Sequence, residues 1–229
     1  MAAQRSEEER RREPLTRERV LSAAIELADA GGLESLSMRR LAQQLSVEAM
    51  SLYHHVANKE EILSGIADMV VGEYETPEPG RDWKASIRAS AVSAYRVLLR
   101  HPWAASLLLA GTTPSVARLA YMDALLGSLR GAGFSAEMTD HAYHALDSHI
   151  MGFALWVTGM NLPSGEAFDE LAAGFLARLP REEMPHLVEH VHQHLKPRDP
   201  NAKPEFEFGL DLLLDGLERI LSESSEGDG

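Results

Sequence analysis

The sequence predicts an all-α chain: a three-helix N-terminal head containing a helix-turn-helix, followed by a larger helical body. Three observations predict it. Apolar residues recur at helical spacing along most of the chain, and no alternating strand pattern stands out. The breaks between periodic stretches are turn and cap chemistry: Gly31-Gly32, TPEPG at 76–80, HP at 101–102, GTTP at 111–114, GAGFS at 131–135 and NLPSG at 161–165. No internal repeat is present.

Residues 1–14 read as a polar, disordered arm ending at Pro14. Thr16 caps a helix to about Ala30, with Val20, Ala24, Leu27 and Ala28 as its apolar stripe. Ser37 caps Met38–Gln44, Leu45-Ser46-Val47 makes a tight turn, and a second short helix covers about Glu48–His54. Asn58 with Glu61 forms a capping box for a helix reaching about Tyr74, which bridges head and body. The body then offers helices at Asp82–Arg100, Trp103–Ala110, Pro114–Arg130, Ala136–Met160, Gly165–Arg178, a weaker 181–195 segment, and Phe206–Leu221. The stretch 195–206 is a proline-rich loop. The expected division is an arm at 1–14, a head at 15–75 including the connecting helix, a body at 76–222 and a disordered tail at 223–229.

Composition narrows the class. The chain has no cysteine, which excludes disulfides, thiolate ligands and cysteine nucleophiles and suits a reducing compartment. Its charged start, MAAQRSEEERRREP, lacks the apolar core of a signal peptide, and no run approaches the roughly 18 apolar residues of a membrane helix. A cytoplasmic protein with no membrane partner is expected. The net charge of −13 is uneven: residues 1–65 hold nine basic and eleven acidic side chains, residues 66–229 thirteen and twenty-four. An acidic body is repelled by nucleic acid, while a local face around Arg39, Arg40 and Lys59 can still meet phosphates.

In the head, Leu33, Leu36, Leu41, Leu45, Val47, Leu52 and Val56 have the spacing to fill the inside of short crossing helices. Met38, Arg39, Ala49, Met50, Ser51, Tyr53, His54 and His55 are left outside. A helix entering a major groove needs small residues at its tip, which Ala49 and Ser51 supply, and Met50 can touch a thymine methyl. Tyr53, His55 and Lys59 can donate to phosphate oxygens, Arg39 can reach a phosphate or a guanine edge, and His54 stands between the two roles. Taken alone, this pattern also fits a small surface bundle with no role on DNA.

The run RERVLSAAIELADAGGLESLSMRRLAQQLSVEAMSLYHHVANKEEIL, with its LY-x-HV-x-NK-x-x-L segment at 52–63, closely resembles the tetracycline repressor (TetR) family of one-component transcriptional regulators. The stretches WKASIRASAVSAYRVLLRHP at 83–102 and LLGSLRGAGFSAEMTDHAYHALDSHIMGFAL at 125–155 resemble the C-terminal domain of the tetracycline-repressor branch, so the resemblance covers about residues 16–160. It implies a ligand-responsive repressor that binds a palindromic double-stranded operator as a homodimer, with an activator built on the same DNA-binding module as the alternative. It also implies that Met38 and Arg39 on the second helix, and Ala49, Met50, Ser51, Tyr53, His54, His55 and Lys59 on and beside the recognition helix, contact DNA. Three positions depart from the family pattern: Ser46 stands where Gly is frequent, Met50 where the founding repressor carries Pro, and Ala49 replaces a base-reading side chain. The operator is therefore expected to differ from that repressor's own.

The resemblance places dimerisation on two C-terminal helices, here about 136–160 and 206–221, with Gly152 and Gly209 allowing close approach. Ala142, Ala145, Leu146, His149, Phe153 and Trp156 on the first, and Leu210, Leu213, Leu217 and Ile220 on the second, carry the apolar spacing. Trp103, Leu107, Leu108, Met122, His149, Phe153, Trp156 and Met160 are the candidate lining of an effector cavity, although each also suits ordinary core. The founding member's drug–magnesium ligand set is absent from the equivalent positions, so an apolar or aromatic small molecule is the expected effector. His186, His190, His192 and His194 have the spacing of ligands one helical turn apart, yet no cysteine accompanies them and a solvated surface is the expectation. No metal and no other cofactor is implied. His141, His144 and Asp147 could be drawn into acid–base chemistry, but no nucleophile, phosphate-cradling loop or HExxH accompanies them, and no enzyme is expected.

Overall fold

The computed structural model describes residues 14–78, 82–110, 116–160, 165–196 and 202–227. Within them the chain forms α1 (Arg17–Gly31), α2 (Met38–Leu45), α3 (Ala49–Leu52), α4 (Lys59–Val71), α5 (Trp83–Arg100), α6 (Ala104–Ala110), α7 (Val116–Gly131), α8 (Ala136–Met160), α9 (Glu166–Arg178), α10 (Pro185–His194) and α11 (Glu205–Gly227). No strand occurs among the described residues. The arm at 1–13, the body's turn residues 111–115 and 161–164, and part of the 195–206 loop lie outside them.

The starts of the helices follow from side-chain caps that satisfy orphan N–H groups. Thr16 Oγ1 accepts from the Arg19 amide at 3.2 Å, Ser37 Oγ from Arg40 at 3.3 Å and Asn58 Oδ1 from Glu61 at 2.8 Å. Glu61 reaches back one residue further than a capping box requires, its Oε2 accepting from the Ala57 amide at 2.7 Å. That bond, with Arg17 beside it, holds the Glu61 carboxyl below its usual range. Asp82 caps α5 through the Lys84 amide at 3.0 Å, and α5 stops at His101 because the residue before Pro102 is pushed out of helical backbone.

The 181–195 segment is helical only over Pro185–His194, and three further boundaries differ from the sequence reading. The segment expected as a helix over Glu48–His54 is a single α-turn, Ala49–Leu52. Beyond it the amides of Tyr53, His54 and His55 bond three residues back, which tightens the chain into turns. α4 ends at Val71, with turns carrying it to Tyr74. α11 does not stop at Leu221 but runs to Gly227, since no proline or glycine interrupts Ser222–Glu226.

In the head, α1 packs on α2 and α4, and α2 on α3. Val20, Ala24, Leu36, Leu41, Leu52, Val56, Ile62 and Ile66 are buried there, while Leu33 and Val47 are partly buried against them. In the body α8 is the central helix, packed by α5, α6, α7 and α11 around the fully buried Leu146, Leu210 and Leu214. Burying each such leucine contributes about 1.5–3 kcal/mol. α4 touches α1 on one side and α6 and α7 on the other, so one continuous apolar core joins the two parts. Outside it, Arg88 on α5 holds Glu207 and Asp211 on α11 at 2.6 and 2.7 Å, and Lys84 holds Asp215 and Glu218. The Arg88 and Lys203 side chains keep the Asp211 carboxyl below its usual range. α9 and α10 pack chiefly against each other and expose Leu171, Phe175, Met184 and Leu187.

Candidate nucleic-acid interface and body cavity

The interface begins at a tight turn. Ser46 ends α2 at φ 56, ψ 41, the only non-glycine with positive φ among the described residues. Left-handed backbone costs a non-glycine residue about 1–2 kcal/mol. Ser46→Gly is therefore expected to raise unfolding stability by about 1 kcal/mol, read by urea denaturation. A drop of similar size would show that the Ser46 side chain, not the backbone, matters here.

That turn sets α3 across α2 with one side nailed to the core by Leu52, which is fully buried, and by Val56. The opposite side is open. Met50 is 73% exposed at its tip, and Tyr53 is 47% exposed. Arg39, His54 and Lys59 are exposed, Ser51 and His55 half-buried, and Met38 and Ala49 half-buried against the core. The nine residues assigned to DNA from the sequence thus lie on α2, on α3 and the turns that follow it, and at the start of α4. The side chains of Arg39, His54 and Lys59 make no hydrogen bond or ion pair with any described residue, so their donors are available to an outside acceptor. Arg40 is partly engaged, donating to the Ser35 carbonyl at 3.3 Å.

Apart from a more open cleft of about 360 Å³ along α5, the body holds a small cavity, about 20 Å³, among α4, α5, α6, α7 and α8. Its apolar lining is Val71, Ala94, Leu108, Met122, Ile150 and Met151, and its polar lining is Tyr74, Arg118, Tyr121, Tyr143 and Asp147. This volume suits about one water molecule, whereas drug-sized ligands occupy roughly 300–1,000 Å³. The Tyr74 hydroxyl is buried without a hydrogen-bond partner. Tyr121 shares a 2.9 Å hydrogen bond with Ser90, and burial pushes its phenol up to about 12. Burial raises Tyr74, Tyr143 and Asp147 as well, the last against the pull of Arg118, whose guanidinium lies 3.9 Å away. Arg118 also donates to the Leu108 carbonyl, joining α7 to α6.

The structure does not gather the eight residues expected to line an effector cavity. Leu108 and Met122 line it. Leu107 is partly buried in the core outside it. Trp103 is buried at the seam between head and body, its Nε1 donating to Asp29 at 2.7 Å. His149 and Phe153 stand on another side of α8, where His149 stacks on Phe206 and shares a hydrogen bond with its carbonyl at 2.9 Å. Trp156 and Met160 are 55% and 43% exposed at the far end of that helix. Their common helical spacing groups residues that point in different directions around α8 and sit on different elements. Sequence reading passes over Tyr74, Arg118, Tyr121 and Tyr143 as lining. A signal exists on α8, where Tyr143 and Asp147 interrupt an apolar stripe continued by Ile150 and Met151. On α10, His190 and His194 rings meet at 4.6 Å, and no group of three possible metal ligands assembles among the described residues. No helix among them is long and apolar enough to cross a membrane.

Residues 20–66 match the bacterial regulatory proteins, tetR family, and residues 76–221 match the Tetracyclin repressor-like, C-terminal domain family. The chain belongs to the TetR family. This TetR-family chain is 31% identical to the tetracycline repressor protein class C of Escherichia coli over 209 residues, covering 90% of the chain and 92% of that protein. It is 40% identical to an HTH-type transcriptional regulator of Saccharopolyspora erythraea over 152 residues, 65% of the chain and 64% of that regulator. Apo ActR of Streptomyces coelicolor superposes with a TM-score of 0.73 at 30% identity, covering 93% of the chain and 99% of ActR. ActR has also been solved in complex with actinorhodin. The chain is thus a helix-turn-helix transcriptional regulator, and regulators of this family are not enzymes.

Proposed function

We propose that this TetR-family regulator is a homodimeric repressor that reads a palindromic operator with Met38, Arg39, Ala49, Met50, Ser51, Tyr53, His54, His55 and Lys59, and that a small aromatic effector releases it. The carrying observation is the one-sided α3, buried through Leu52 and open through Met50, with free donors on Arg39, His54 and Lys59 around it. Dimerisation is supported by large apolar side chains left exposed on both helices: Trp156, Val157 and Met160 on α8, and Phe208 and Leu212, both 59% exposed, on α11. Where such side chains form a contiguous patch they mark an interface rather than a solvated face. A two-fold pair of heads then addresses half-sites about 34–36 Å apart.

ActR's complex with actinorhodin supports a small-molecule ligand in this type of body. The cavity around Tyr74 and Asp147 is the proposed entry point, reached when its helices part. The unpartnered Tyr74 hydroxyl donates to an effector oxygen and the Asp147 carboxylate accepts from an effector hydroxyl, while Leu108, Met122 and Ile150 cover its apolar face. Effector binding must favour a dimer geometry that does not fit the operator, which is the sole way a ligand can shift the equilibrium.

The test selects bound genomic fragments with purified protein, then measures affinity by fluorescence anisotropy across a salt series. Tyr53→Ala with Lys59→Ala is expected to weaken binding tenfold or more and to reduce the salt slope by about one for each phosphate no longer neutralised. Melting temperature and dimer mass should stay put. A double variant that binds as tightly as the parent removes DNA reading from these residues, and a monomer by sedimentation removes the dimer.

A further inference from the structure

The seam between head and body contains a polar cluster that neither the reading face nor the cavity uses. Asp29 stands in the last turn of α1, in the head. Its Oδ1 accepts from Trp103 Nε1 at 2.7 Å and from His101 Nδ1 at 2.8 Å. Both donors belong to the corner between α5 and α6, more than 70 residues away in sequence, and both are buried, His101 at 8% and Trp103 at 7% exposure. The carboxylate offers only acceptors, so His101 carries its proton on Nδ1. The other ring nitrogen, Nε2, faces Glu73 Oε1 at 3.4 Å, just past the end of α4, and Glu73 also receives Arg100 at 2.5 Å. The rings of His101 and Trp103 lie 5.9 Å apart. One carboxylate of the head is thus gripped by two side chains of the corner that leads into α6, the helix that carries Leu108 to the cavity.

We propose that Asp29 is a positioning residue: through His101 and Trp103 it sets the angle of the head against the body. The physical reason is directionality. α4 joins the two parts by apolar packing, which tolerates small rotations, whereas short, directional hydrogen bonds converging on one carboxylate admit one orientation. Without them Trp103 Nε1 is a buried donor with no acceptor, and the head turns on α4 alone. Displacement of α6 by a cavity ligand pulls on the same carboxylate, so the seam is a second route from body to head beside α4. The consequence for operator binding rests on the proposed function, but the head angle does not.

The chain contains no cysteine, so two spin labels can be placed cleanly at Gln43→Cys on the head and Glu137→Cys on the body, both exposed positions. Labelled chain is diluted with unlabelled chain and the distance distribution is read by double electron–electron resonance. The parent should give one narrow distribution. Asp29→Asn, which keeps size, and Trp103→Phe, which keeps an aromatic ring without the N–H, should each broaden it or add a second maximum, and Asp29→Glu should partly restore it. Operator affinity of the two weakened variants should fall about threefold to tenfold, as expected for the loss of one buried hydrogen bond. An unchanged distribution in both variants, even with a lowered melting temperature, overturns the proposal and leaves a merely structural contact. A parent that binds no operator, with altered distributions in the variants, counts against the proposed function and not against the seam.

Discussion

Leu52→Ala should cost about 2–5 kcal/mol and abolish operator binding, because α3 is a single turn with little else to hold it. Leu52 is completely buried, and the amides of Tyr53, His54 and His55 beyond it bond only three residues back, His54 at 3.4 Å. The propensity of a four-residue helix contributes almost nothing to its survival, since nucleation is unfavourable at that length. Removing the leucine therefore takes away the packing that aims Met50 and Tyr53 outward. Met50→Ala is the contrasting variant. At 73% exposure it should leave unfolding stability within about 0.5 kcal/mol while altering operator affinity, since surface substitutions rarely do more to the fold. Chemical denaturation and anisotropy on the same two proteins separate the effects. Equal destabilisation in both would mean that Met50 is not a free tip.

Gly209→Ala is expected to destabilise the chain by about 1–3 kcal/mol, against the usual gain of about 1 kcal/mol for replacing a helical glycine by alanine. A Cβ at Gly209 would stand 2.6 Å from His149 Cε1. His149 has no cheap escape, because its Nε2 is tied to the Phe206 carbonyl at 2.9 Å and its ring is stacked on Phe206 at 4.9 Å. Either α8 and α11 separate or the stack breaks, and the adjoining surface with Phe208 and Trp156 moves with it. Gly127 on α7 is the control, with nothing within 4 Å of an added Cβ. Gly127→Ala should raise the melting temperature where Gly209→Ala lowers it. Matching gains at both positions would show that the α8–α11 approach is looser than described.

Two glycines of the body show how far sequence reading reaches. Gly152 and Gly209 both stand on helices whose spacing predicts close approach. Gly209 does lie against a neighbouring helix, while nothing among the described residues comes near a Cβ at Gly152. Composition and spacing identify a small residue on an apolar helix, but they do not say which side of the helix another element occupies. The effector residues make the point again. Trp103, Leu108 and Phe153 are apolar residues of comparable local setting, and the fold sends one to the head–body seam, one to the cavity and one to the stack on α11.

Local and periodic features follow from the amino-acid order alone. The caps at Thr16, Ser37 and Asn58, the turn at Ser46, the apolar inside of the head and the outward set from Met38 to Lys59 all rest on hydrogen bonds and side-chain spacing within a few residues. Such interactions hold wherever the segment is placed, which is why the exposed face proposed to meet DNA can be picked out in the chain itself. Which distant residues meet is a matter of the folded chain. Tyr74, Arg118, Tyr121 and Asp147 come from three segments to line one cavity, and Asp29 meets His101 and Trp103 across the seam. Those meetings depend on how α4, α5, α7 and α8 cross, and crossing angles are set by the whole packed core rather than by any one stretch.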